Sequence, residues 1–331
     1  MKIYSPMATG NGAYVVHRSL ESGIRGYEVC PYNPWWTLVP PTLYSLCRNK
    51  RHDIIHTTPD YAIFSARRNI PLIITFHGYG LDRTMRQYNS KLQNLHYSTD
   101  LKWFTRKAIL RATSITAVSR YTAELVQRDT SLQQKIRVIY NGIDETRFVP
   151  AMTREAGTRG INVLFSGNLI RKKGANLLPE IAARLNPGIK ILYTSGLRSR
   201  NRLPVHPALE HIGRVPHDSM PQLYNRSDML LFPTVREGFG LAAAEAMSCG
   251  LPVVATDCSS LPELVENGRG GFLCPPGDAA SFANKINELA DSRAQRIEMG
   301  EFNRTRVEQQ FTLKRMVSDY IGLFEEIIGS T

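Results

Sequence analysis

Met229-Leu230-Leu231-Phe232-Pro233 leads, through Thr234-Val235-Arg236, into Glu237-Gly238-Phe239-Gly240-Leu241-Ala242-Ala243-Ala244-Glu245. The first stretch is a short apolar run of the kind a buried strand presents. The second predicts a loop and then a helix through Met247, closed by Gly250 and Pro252. Glu237 therefore leaves a strand, and Glu245 sits in the early turns of the next helix. Gly238 and Gly240 remove side chains between them, so that a ligand comes close to the backbone. The open N–H groups of a helix start favour an anion at that place. Two carboxylates flanking such an end suit a ligand that carries both hydroxyls and phosphate. Two unrelated surface glutamates are the ordinary alternative, against which the Gly-Phe-Gly insert and the strand–loop–helix setting argue.

Outward from this stretch the same alternation repeats. Candidate strands lie at Lys2–Ser5, Tyr27–Cys30, Asp53–His56, Leu72–Phe76, Ile115–Val118 and Ile136–Tyr140. A second series lies at Asn162–Ser166, Lys190–Tyr193, Leu230–Phe232, Val253–Ala255 and Gly271–Leu273. Helical or irregular segments separate them, which is the pattern of α/β proteins with parallel sheets covered on both faces. A chain of 331 residues exceeds what one core usually serves. The polar, Pro- and Gly-broken stretch Val149–Gly160 marks the boundary between domains 1–150 and 151–313. A last amphipathic helix, about 314–331, is expected to pack back on the first domain.

Other strand ends carry candidates too, because ligands of open parallel sheets gather outside the carboxyl ends of the strands. Phe76-His77-Gly78 puts a histidine there. Gly10 and Gly12 lie between the first strand and the first helix, where a tight turn explains them equally well. Gly167-Asn168-Leu169-Ile170-Arg171-Lys172-Lys173-Gly174 is a glycine-opened loop with three consecutive basic residues. It reads as a diphosphate clamp or as a solvated basic turn. Ser260-Leu261-Pro262-Glu263 fits a capping box.

The net charge of +12 is unevenly spread. Met1–Phe148 holds 20 Lys+Arg against 10 Asp+Glu, and the remainder 21 against 19. The first half is therefore expected to face something anionic. Leu101–Arg111, which interleaves Lys102, Arg106, Lys107 and Arg111 with Trp103, Phe104, Ile109 and Leu110, is either a membrane-facing helix or an ordinary domain helix. No apolar run is long enough to span a bilayer. Met1–Ser5, broken at Pro6, does not read as a signal peptide. Five cysteines without ligand spacing suggest reduced thiols in a cytoplasm. No Asp-x-Asp occurs, and no motif with metal-ligand spacing.

Together these motifs resemble the retaining glycosyltransferases of family 4, which have the GT-B architecture. The likeness is carried by V-I-Y-N-G-I-D at Val138–Asp144, Lys173-Gly174, Phe232-Pro233-Thr234 running into Glu237–Leu241 and Glu245, Leu261–Val265 and Cys274–Asp278. It implies two Rossmann-like doubly wound parallel-sheet domains facing across a cleft. By the same resemblance Glu237 holds hydroxyls of the transferred sugar, Glu245 the ribose hydroxyls, and Lys173 the departing diphosphate. Backbone N–H groups of Phe239, Gly240 and Leu241 contact the donor, and Gly213, Arg214 and Val215 lie beside its base. His77 points toward the sugar, and Gly10 and Gly12 line a phosphate or acceptor loop. The family commonly has Arg after the first glycine of the phosphate loop. Asn168 stands there in this chain, which leaves Arg171 or Lys172 to supply the charge.

The expected reaction is metal- and cofactor-independent transfer from a nucleotide sugar to a saccharide or lipid-linked acceptor, in surface polysaccharide or glycolipid synthesis. The expected site of action is cytoplasmic, with the basic half on an anionic membrane and no nucleic acid partner. A sugar phosphorylase or nucleotide-sugar epimerase on the same fold, and a non-enzymatic basic binding module, are the competing readings.

Overall fold

Leu72-Ile73-Ile74-Thr75-Phe76, Met229–Phe232 and Val253–Thr256 are buried along their whole length. Strands covered on both faces need apolar side chains at every position rather than at alternate ones. A computed structural model describes residues 1–47, 51–151, 160–196 and 203–330. It divides the chain into one unit of Met1–Gly142 with Leu313–Thr331 and another of Ile143–Thr312. The expected linker at 149–160 falls for the most part outside the described residues.

The first unit is a six-stranded parallel sheet of β1 (Ile3–Ala8), β2 (Tyr27–Tyr32), β3 (Ile54–Thr57), β4 (Leu72–Phe76), β5 (Ser114–Ala117) and β6 (Arg137–Val138). The order is β2-β1-β3-β4-β5-β6. Its helices include α1 (Gly12–Gly23), α2 (Ala62–Ser65), α3 (Lys91–Ser98), α4 (Asp100–Arg111) and α5 (Arg120–Thr130). The strand β1 continues through Pro6, where the sequence suggested a stop. Its ladder to β3 pairs Ile3 with Ile54 and Tyr4 with Ile55, ahead of the proline that has no N–H to give. The α4 helix buries Leu101, Thr105, Ala108 and Ile109 and leaves Trp103 and Leu110 exposed, so it is both a core helix and an apolar surface.

The second unit repeats the plan with β7 (Ile161–Phe165), β8 (Ile189–Thr194), β9 (Leu209–Gly213), β10 (Met229–Phe232), β11 (Val253–Thr256) and β12 (Gly271–Cys274), in the order β12-β11-β10-β7-β8-β9. Its helices are α6 (Leu178–Ala182), α7 (Met220–Asn225), α8 (Leu241–Ser248), α9 (Leu261–Leu264), α10 (Ala279–Asp291) and α11 (Arg293–Gln310). The final helix α12 (Leu313–Gly329) belongs to the first unit, where Tyr320 and Phe324 pack on His56 at 4.9 and 5.5 Å between ring centres.

Candidate active site

In the second unit the chemistry lies at the carboxyl ends of β7 and β10, which are hydrogen-bonded neighbours. The loop after β7 turns at Gly174, whose φ of +74° is the left-handed region. A Cβ there would stand 2.0 Å from the carbonyl oxygen of Pro233. Only glycine fits both demands. The Lys172 carbonyl then accepts from Val235 N at 3.1 Å and Thr234 Oγ1 at 3.0 Å, which ties the loop to the end of β10. The consequence is that Lys173 Nζ stands 2.5 Å from Glu237 Oε1.

The Glu237 loop is braced from the turn after β11. Ser259, at φ +52°, accepts from Glu237 N at 2.9 Å through Oγ. Ser260 Oγ donates to the carbonyls of Glu237 and Phe239 at 3.2 and 3.1 Å. This corrects the capping-box reading: Ser260 precedes α9, but its hydroxyl makes no cap. Two non-local carbonyls outcompete the local N–H.

Glu245 is buried in α8. Its Oε2 accepts from Tyr224 OH at 2.9 Å, and its Oε1 meets His217 Nε2 at 3.0 Å. The bond to Glu245 holds the His217 imidazolium above the usual histidine range, against burial. Burial and then the Glu245 charge push the Tyr224 phenol far up, so it stays a donor. A carboxylate has about four acceptor positions, so each oxygen retains capacity for a ligand hydroxyl. Neither Tyr224 nor His217 is singled out by sequence pattern. His217 does follow the end of β9, which is a weak signal; a tyrosine in α7 reads as ordinary core.

The other candidates are placed as follows. Asn168 turns its side chain toward Gly196, where a Cβ would meet Oδ1 at 2.1 Å. Arg171 is exposed and Lys172 half-buried, with burial and then Arg236 lowering the Lys172 ammonium. Gly213 has φ +77° and its carbonyl accepts from Ser195 N at 2.9 Å; Arg214 is exposed and Val215 half-buried. Phe239 packs its ring on Phe311 at 5.6 Å, Gly240 is the N-cap of α8, and Leu241 is its first residue. In the first unit Gly10 has φ +78°, Gly12 opens α1, and His77 follows β4. His77 Nε2 is 3.1 Å from His17 Nε2, and burial lowers the His77 imidazole to about 3.

Among the described residues no group of three or more His, Cys, Asp or Glu is placed to hold a metal ion. No described helix is long and apolar enough to cross a membrane.

Two family models cover successive parts of the chain. One described as Glycosyltransferase Family 4 matches residues 2–147, and one described as Glycosyl transferases group 1 matches 160–292. The N-acetyl-alpha-D-glucosaminyl L-malate synthase of Bacillus anthracis is 25% identical over 93% of this chain and 84% of its own. Among solved structures, sucrose-phosphate synthase from Thermosynechococcus elongatus superposes with a TM-score of 0.86 at 18% identity, covering 100% of both chains. The Anabaena HepE protein, solved in complex with UDP-glucose, gives 0.78 at 21% identity, again over 100% of both.

Proposed function

We propose, from the premise that this chain belongs to glycosyltransferase family 4 and has the GT-B architecture, that it moves a sugar from a nucleotide diphosphate sugar to a saccharide or lipid-linked acceptor with retention of configuration. The observation that carries this reading is the Lys173–Glu237 pair at the ends of adjacent strands. Breaking a sugar–diphosphate bond leaves an electron-poor sugar and an electron-rich phosphate, and both need stabilising. The ammonium has three donors. One serves Glu237, and the others are offered to phosphate oxygens. Glu237 in turn presents acceptors to sugar hydroxyls. Glu245, steadied by Tyr224 and His217, takes the ribose hydroxyls. The leaving phosphate accepts the proton of the incoming hydroxyl, so the scheme needs no separate base and no metal. A UDP-glucose complex of a protein with the same fold supports a nucleotide-sugar donor.

A thermal-shift screen against UDP, GDP, ADP and dTDP sugars tests the donor, since a ligand that binds only the folded state raises the melting temperature. Donors that shift it are then assayed for transfer. A protein that no nucleotide sugar stabilises, and that transfers none, ends the proposal.

The acceptor side is proposed to rest on an anionic bilayer. Trp35, Leu38, Leu92 and Leu110 are 74%, 72%, 79% and 81% exposed. The same unit holds an aromatic cluster: Phe64 packs on Phe104 at 4.9 Å, Trp103 on Phe104 at 5.2 Å, and Tyr61 hydrogen-bonds His96 at 3.1 Å. Between residues 83 and 111 the chain carries Arg83, Arg86, Lys91, Lys102, Arg106, Lys107 and Arg111 against Asp100 alone. Exposed aromatics among basic residues are the composition of an interfacial surface. Co-flotation with phosphatidylglycerol vesicles, weakened by salt and by Trp35→Ala with Leu38→Ala, is the expected result. Equal binding of the double variant removes this surface from the reading.

A further inference from the structure

Polar groups of the first unit that the proposed reaction leaves unused form one continuous chain. Ser5 Oγ of β1 and Tyr27 OH of β2 both lie against His17 Nδ1 of α1, at 2.7 and 2.8 Å. Tyr27 OH reaches onward to His56 Nδ1 of β3 at 2.7 Å. His56 Nε2 meets Thr75 Oγ1 of β4 at 2.7 Å. Thr75 then meets Thr116 Oγ1 of β5 at 2.6 Å and Tyr320 OH of α12 at 3.2 Å. At the opposite end His17 Nε2 stands 3.1 Å from His77 Nε2. His77 Nδ1 is buried and has no hydrogen-bond partner among the described residues.

An N···N hydrogen bond holds one proton, so His17 and His77 do not both carry hydrogen at Nε2. Neutral tautomers satisfy every contact in the chain. No carboxylate and no cation belongs to it. The charges that act on it are Glu21, felt by Tyr27, and Asp319, felt by Tyr320. Burial lowers the imidazoles of His56 and His77 to about 3 and holds that of His17 well below the ordinary histidine value. His17 has both nitrogens engaged inside the protein, which fixes its ring and leaves it nothing to offer a substrate. His77 has Nε2 engaged and Nδ1 without a partner among the described residues. A buried polar atom without a partner calls for an explanation, and a ligand group is one.

We propose that His17, locked by Ser5 and Tyr27, is a positioning residue that fixes the His77 ring so that its Nδ1 meets a hydroxyl of a bound saccharide as an uncharged hydrogen-bonding group. This rests on the transferase reading above. His17→Ala removes the support and admits water, whereas His17→Gln keeps an amide within reach. In His17→Ala, kcat is expected to fall roughly tenfold, the effect of one lost hydrogen bond. An acid limb should appear in its pH profile as the hydrated His77 returns toward the ordinary histidine value of about 6.5. His17→Gln should stay near wild type, with a flat profile.

Imidazole ¹⁵N resonances give a readout that does not depend on turnover. His77 should stay neutral from about pH 5 to 8 in the wild type and in His17→Gln, and titrate in His17→Ala. A folded His17→Ala protein with wild-type kcat and a neutral His77 overturns the proposal. If no nucleotide sugar supports turnover, the transferase reading falls, and the resonances still decide whether His17 controls His77. If His17→Ala fails to fold, Tyr27→Phe removes one of the two hydroxyls on His17 and is read the same way, at smaller amplitude.

Discussion

The two units handle their ionisable groups in opposite ways. In the first, His17 and His56 are fully buried among hydroxyls and aromatic rings, without an opposite charge beside them. Burial dominates, the neighbouring imidazoles act in the same direction, and the charge is removed. In the second, each site carboxylate has a basic partner: Lys173 for Glu237 and His217 for Glu245. Lys173 and Glu237 also keep some exposure, 31% and 13% of their side chains. The contrast assigns tasks: the neutral network suits gripping hydroxyls, and the Lys173–Glu237 salt bridge suits meeting a charge that develops.

The heaviest blow to this contrast is Lys173→Ala. Glu237 loses its partner and the diphosphate its cation, so kcat/KM should fall by about 10²–10³, the scale of one lost preorganised electrostatic contact. Lys173→Arg restores charge without the same reach and should recover part of the rate. Steady-state kinetics with the donor found by thermal shift measure both. The first unit's network should be untouched, with unchanged imidazole resonances. Loss of less than tenfold would mean that Lys173 does not meet the leaving group.

The buried histidines predict acid sensitivity next. Their folded pKa values, about 3 for His56 and His77, lie below the unfolded value. Between about pH 6.5 and 3 the unfolded chain therefore binds more protons, and stability falls as the pH falls. The slope is about 1.4 kcal/mol per pH unit for each histidine that stays neutral. Denaturation midpoints measured from pH 7 to 4 should show it, and His56→Gln should flatten it. An identical slope in that variant would place the acid sensitivity elsewhere.

What the sequence disclosed follows the same division between local and distant information. Strands such as Leu72–Phe76 are legible because burial on both faces leaves a continuous apolar run. Leu209–Gly213 escapes notice because β9 is an edge strand and turns Glu210 and His211 to solvent. Lys173 and Glu237 are each legible as strand-end residues. Their pairing is not, because it depends on β7 lying beside β10, and 64 residues separate the two side chains. Ser260 misleads because a complete local explanation, the capping box, loses to distant carbonyls. His17 lies mid-helix, and nothing in its spacing announces three partners from β1, β2 and the end of β4.

Tyr224→Phe sharpens the second unit alone. It removes one charge-assisted bond to Glu245 and leaves the ring in place. Such a bond contributes about 1.5–3 kcal/mol. Donor affinity should weaken by roughly tenfold, as KM for the nucleotide sugar or as direct binding, with kcat nearly kept. A variant that loses kcat and retains affinity would move Glu245 from ribose binding to the chemical step.

The smallest effect separates the two histidine populations by sign. His217 has its folded pKa raised by Glu245, so the stability it contributes is fully present below the unfolded value of about 6.5 and is lost as the pH rises through the folded value. With 47% of its side chain exposed, solvent screens the pair and the contribution is small. The difference in melting temperature between wild type and His217→Gln should be greatest near pH 6 and shrink toward pH 9. Over that range His56→Gln should show the opposite trend, gaining on the wild type toward pH 6, because its histidine stays neutral in the folded state while the unfolded chain takes up a proton. A His217→Gln difference that stays constant with pH would mean that His217 meets Glu245 as a neutral ring, and the two units would then differ in their lysine alone.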